Sequence, residues 1–109
     1  MITLTTKAAK QIQYSAAQGK MEGIPLRIAV TRKPDHSLHY AMGFDDVPSD
    51  SDSRINSEGI VIVVSEQSAE LLKGTVVDYV ELEPGKFHFI FLNPSDPNYQ
   101  PSEQEQDRL

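Results

Sequence analysis

Asp35, His36 and His39 are the one cluster in this 109-residue chain that brings imidazole and carboxylate side chains together within a few positions. Imidazole and carboxylate both donate to zinc or ferrous iron. In extended backbone, residues 36 and 39 point to opposite faces, so the three converge only if the chain turns near Ser37. The plainer reading leaves His36 in solvent and His39 on the outer face of a strand. Residues 45–53 hold four aspartates and invite comparison with a calcium loop. The sixth position counted from Asp50 is Ile55, where the sharp turn of such a loop needs glycine. A solvated loop is the reading that remains.

Other chemistries lack their parts. The chain has no cysteine, no Gly-x-Ser-x-Gly elbow and no serine with an evident histidine and aspartate partner. Glycine-rich phosphate loops are absent as well. His88 alternates with Phe87, Phe89 and Phe91, a stripe that reads as core, which puts His88 on the opposite face as a structural or surface residue. A catalytic role is the class with least support, and the chain is not expected to be an enzyme.

The elements that must position these residues follow from periodicity. Residues 1–5 alternate as a short half-buried strand. Thr5 or Thr6 can then cap a helix running to about Ala17, with Ala8, Ile12 and Ala16 on one face and Gly19 as terminator. Leu26, Ile28 and Val30 share one side of a strand, and Leu38, Tyr40, Met42 and Phe44 share one side of the next, with a loop between. Ile60-Val61-Ile62-Val63-Val64 is a continuous β-branched run, expected to be buried on both faces. Ser65 caps a short helix through Lys73 that ends at Gly74. A strand over residues 75–82 turns through Glu83-Pro84-Gly85-Lys86 into a partner strand over residues 87–92. The expected fold is α+β and mostly β: one domain of mixed strands with an N-terminal helix and a short mid-chain helix.

Charge and length bound the rest. No apolar run approaches the length that crosses a bilayer, and residues 1–5 do not read as a secretory signal, so the expected compartment is the cytoplasm. The formal charge is −6, of which residues 95–109 carry −3. An acidic chain without a basic stripe has no electrostatic basis for non-specific nucleic-acid affinity. Arg27, Arg32 and Lys33 read as solvated surface rather than an RNA contact. After Pro94 the apolar pattern stops, so residues 1–94 are expected to form the domain and residues 95–109 a flexible acidic tail.

Several local sequences, in order, resemble the A-type iron–sulfur carrier (HesB/IscA-like) family. Ile2-Thr3-Leu4-Thr5 with the Ala-rich helix resembles its opening, and Leu26-Arg27-Ile28-Ala29-Val30 its Leu-Arg-x-x-Val strand. Tyr40 through Phe44-Asp45-Asp46 is similar to its Tyr-x-x-x-Phe-x-Asp segment. Residues 59–64, then Leu71, Gly74-Thr75 and Asp78-Tyr79-Val80, follow its middle region, and Phe89-Ile90-Phe91-Leu92-Asn93-Pro94 resembles its Phe-x-Phe-x-Asn-Pro ending. The resemblance covers about residues 1–94.

That family's chemistry rests on three cysteines, one in a Cys-Ser-Gly motif and two in a Cys-Gly-Cys motif. Thiolates are soft anionic ligands suited to sulfide-bridged iron. Counted without gaps, their positions here are Asp35, Gln100 and Ser102. An amide and a hydroxyl that stays protonated in neutral solution are poor ligands for such a cluster, so no cofactor is expected. The resemblance extends to cysteine-free relatives associated with dissimilatory sulfur oxidation. It implies a non-catalytic accessory protein, acting through protein partners in iron–sulfur assembly or sulfur metabolism. The family often self-associates, but without cysteines one reason for assembly disappears, so a monomer is expected. The competing readings are a carrier or metal binder using non-cysteine ligands around Asp35, and a regulator of gene expression.

Overall fold

Extended entry and helix meet at Thr5. In the computed structural model, described over residues 2–97, β1 (Thr3–Leu4) leads into α1 (Thr6–Gln18). The Thr5 hydroxyl accepts from the Ala8 amide at 3.1 Å, satisfying a donor that the first helical turn leaves unpaired. It also donates to Asp78 Oδ1 at 2.6 Å, tying the cap to the sheet beneath. Ala8, Ile12 and Ala16 are buried, as their four-residue spacing requires.

β2 (Leu26–Arg32) and β3 (Leu38–Phe44) pair antiparallel along their whole length, from Leu26 opposite Phe44 to Arg32 opposite Leu38. β4 (Ser53–Ser57) pairs antiparallel with β5 (Ile60–Val64), and β5 lies parallel to β2. The result is a four-stranded sheet in the order β3-β2-β5-β4. α2 (Glu66–Leu71), capped by Ser65, leads to the hairpin of β6 (Val76–Glu83) and β7 (Lys86–Leu92). β1 adds in parallel to β6, completing a three-stranded sheet in the order β1-β6-β7. Leu4, Ile12, Ile28, Ile62, Leu72 and Val77 fill the core they share. Each such side chain contributes roughly 1.5–3 kcal/mol over its exposed state. The fold is thus α+β, mostly β, with mixed strands and two helices.

Four local features depart from expectation. β4 reads as loop because Ile55 is its lone large apolar residue, and a sheet-edge strand needs to bury little. It reaches β5 through Glu58 and Gly59, both with positive φ (51° and 78°), the mirror-image turn whose twist suits a two-residue hairpin. α2 stops at Leu71 rather than Lys73, with the cap at Leu72. In β5 burial is complete only from Ile62 to Val64, since Ile60 and Val61 line an open cleft. Phe87, expected in the core, is 51 % exposed because the hairpin runs past the helix that covers its base.

The acidic loop is not simply solvated, nor is Arg27. The Arg27 Nε donates to Asp45 Oδ2 at 2.7 Å, its Nη1 to Asp52 Oδ1 at 3.2 Å, and its Nη2 pairs with Asp52 Oδ2. Backbone amides of Val47 and Ser49 complete the two carboxylates. The guanidinium holds Asp45 and Asp52 below the usual carboxylate range, and they in turn raise Arg27. Two of the loop's aspartates therefore clasp a side chain of β2 instead of framing a cation site.

Candidate functional site

Two segments matter if the family's ligand positions are to mean anything: the β2–β3 turn and the stretch after β7. The turn is closed by Lys33 N donating to Ser37 O and His36 N donating to Lys33 O, both at 2.8 Å. His36 takes φ +72°, so a non-glycine residue sits in the left-handed region. Arg32 Nη1 donates to the His36 carbonyl at 3.1 Å.

Asp35 lies exposed at the head of this turn and is spoken for. Its Oδ1 accepts from the Ser37 amide at 3.0 Å and from the Ser37 hydroxyl. These bonds hold its carboxyl below the ordinary range, so it is an anion at neutral pH. His36 shares the turn and is exposed, while His39 lies one residue into β3, opposite Thr31, on the exposed face. Among the described residues no three histidine, aspartate or glutamate side chains come together to hold a metal ion. The turn near Ser37 that could have united Asp35, His36 and His39 exists, and it does not unite them.

After β7 the chain is caught at Asn93, which is fully buried. Its Nδ2 donates to the Leu71 carbonyl at 2.7 Å and its Oδ1 accepts from Ser95 N at 3.0 Å. Asp96 N returns to the Asn93 carbonyl at 3.0 Å, turning the segment back on itself. Tyr40, near the start of β3, then donates its hydroxyl to Asp96 Oδ2 at 2.6 Å while its ring stacks on Phe91 at 4.4 Å. Burial, with the Asp96 carboxylate, raises the Tyr40 phenol well above its ordinary value, so it stays a donor at any physiological pH.

The consequence is positional. Tyr40 fastens the start of the C-terminal stretch to β3, the strand that follows the turn bearing Asp35. Ser95 and Asp96, the first residues of the stretch expected to be a flexible tail, are held by these bonds. Gln100 and Ser102, with the rest of that expected tail, lie outside the described residues. Sequence reasoning missed Asn93, the Tyr40–Asp96 tie and the Arg27 clasp. Asn-Pro after an apolar strand is a turn signal that could have flagged the first; nothing local points to the others.

The donors present do not fit a thiolate-held cluster. The chain supplies no cysteine sulfur, and the Asp35 carboxylate is engaged by its own turn.

Known proteins supply the context. The chain matches, over residues 1–102, the family described as iron–sulphur cluster biosynthesis. It is 35 % identical over 78 residues to the protein SufA of Bacillus subtilis, covering 72 % of this chain and 65 % of that one. The iron–sulfur cluster insertion protein ErpA of Vibrio cholerae is 30 % identical over 89 residues, covering 82 % and 79 % of the two chains. Among solved structures, IscA with a 2Fe–2S cluster superposes with a TM-score of 0.73 at 30 % identity, over 86 % of each chain. Escherichia coli SufA gives the same TM-score at 27 % identity, over 94 % of this chain and 89 % of that one. Sequence and fold converge: the chain belongs to the iron–sulphur cluster biosynthesis family, the A-type carriers, as a member without cysteine.

Proposed function

We infer that this protein is a non-catalytic accessory protein that keeps the carrier fold and works by protein contact in iron–sulfur or sulfur metabolism, dissimilatory sulfur oxidation included. One observation carries the reading. The stretch after β7 is held in place by the Asn93 turn and the Tyr40–Asp96 tie, while Asp35, the residue that counting without gaps aligns with the first family cysteine, has its carboxylate committed to Ser37. Retained architecture beside absent thiolates is what a recognition role leaves behind. Its proposed setting is the cytoplasm and its proposed state a monomer. No helix among the described residues is long and apolar enough to cross a membrane.

Two measurements test this. Anaerobic reconstitution with ferrous iron and sulfide should leave no stable visible charge-transfer band; a stoichiometric, chromatography-resistant band would establish the alternative, a carrier with non-cysteine ligands. Tagged protein cross-linked in its native host should enrich iron–sulfur assembly or sulfur-oxidation proteins over an untagged control. Enrichment of transcripts alone would point to regulation of gene expression instead.

A further inference from the structure

Between them, α1 and the β6–β7 hairpin leave an open groove of about 650 Å³. One wall is a helical stripe of Lys7, Lys10 and Tyr14; the other is Tyr79, Glu81 and Phe87. Tyr14 is 60 % exposed and Phe87 is 51 % exposed, large rings that the fold itself leaves uncovered. Phe87 is not loose, for it stacks on Tyr79 at 5.6 Å, and Tyr79 leans on Phe89 at 4.7 Å. A ring braced in this way loses little conformational entropy when something covers it, which is how aromatic anchors contribute to interfaces.

Charge selects what covers it. α1 contains no acidic residue, and among the described residues neither Lys7 nor Lys10 has an ion-pair partner. Glu81, the acid on the facing wall, directs its Oε2 to the Gly85 amide at 2.9 Å, within its own hairpin. The groove therefore offers two unanswered cations beside a braced aromatic surface, in a chain whose net charge is −6. That excess repels long polyanions, and the wall's own acid would meet their phosphates. A short segment with a few carboxylates set around one ring carries far fewer charges and meets much less of both penalties.

We propose that this groove is the partner-docking surface and that it takes an extended, acidic protein segment, with an aromatic or proline side chain seated between Tyr14 and Phe87 and carboxylates facing Lys7 and Lys10. This rests on the protein-contact reading above and gives it a place on the molecule.

The test uses the full chain and a labelled ten-residue synthetic peptide in which glutamates flank a tyrosine–proline pair. Fluorescence anisotropy should show saturable binding that weakens about tenfold or more in Phe87→Ser and in the Lys7→Glu/Lys10→Glu double variant. Lys73→Glu, at an exposed lysine outside the groove, should bind as the parent does. Circular dichroism and thermal midpoints check that each variant folds; the lysines are exposed and Phe87 is half exposed, outside the core. Equal binding of a peptide with lysine in place of glutamate, tighter binding of a single-stranded RNA oligomer, or indifference to both groove variants each overturns the proposal. The same variants, tagged in the host, separate the two readings. If the metabolic partners are still captured at parental yield, the groove assignment fails while the accessory role stands. If the peptide behaves as expected but no such partner is captured by the parent, the accessory role fails and the groove remains.

Discussion

Thr75 carries a fully buried hydroxyl with no hydrogen-bond partner among the described residues, although its backbone is well used: its amide donates to Leu72 and its carbonyl accepts from Thr3. A buried hydroxyl without a partner costs about 1–3 kcal/mol in desolvation. Valine has nearly the same shape, so Thr75→Val should stabilise the fold by about 1 kcal/mol and raise the thermal midpoint by roughly 4–8 °C. A midpoint that falls instead would mean the hydroxyl is bonded after all. Arg27 makes the opposite kind of residue-scale statement. Asp45 and Asp52 titrate below their ordinary range, so the clasp stabilises the fold at neutral pH and is lost as pH falls through those lowered values. Arg27→Met should therefore have its largest deficit in midpoint near pH 7, and the gap to the parent should narrow as pH falls below the ordinary aspartate range. A gap that stays constant with pH would assign the deficit to packing. Neither feature is legible in the sequence, because a hydroxyl's missing partner and an arginine's two distant acids are facts of tertiary geometry.

At the scale of elements, the legible parts are those whose signal is local. The Thr5 and Ser65 caps, the α1 stripe of Ala8, Ile12 and Ala16, and the Pro84–Gly85 turn with Gly85 at φ +76° all declare themselves within a few residues. β4 does not, because an edge strand pairs through its backbone and Ser53, Arg54, Asn56 and Ser57 carry no apolar alternation. The Thr5 cap also shows why a local signal can understate its element. Besides capping α1, its hydroxyl joins Asp78, which accepts from the Tyr79 amide as well. Thr5→Ala should cost about 1 kcal/mol, the usual value for a lost cap, while Thr5→Ser should recover most of it. Hydrogen exchange should report the loss first at the α1 start and at Tyr79. Exchange that quickens uniformly would mean the cap has no local role.

For the whole molecule, the informative contact is Tyr40 with Asp96, 56 positions apart. The candidate ligand positions are legible only through resemblance, and nothing in the sequence says whether their segments share one end of the fold. The bond fixes the segment before Gln100 and Ser102 to the strand that follows the Asp35 turn. A fold that had shed its cluster and had no further use for that end could let this segment drift. Tyr40→Phe separates the possibilities, since it keeps the ring on Phe91 and deletes only the hydrogen bond. Global stability should fall by about 1.5–3 kcal/mol, the net value of a hydrogen bond to a charged group. The amides of Ser95 and Asp96 should exchange faster while those of β3 do not. If the tie serves recognition, the variant should also lose metabolic partners in cross-linking despite its intact fold. Undiminished capture with a loosened segment would instead confine recognition to the groove between α1 and the hairpin, leaving the old ligand end as architecture alone.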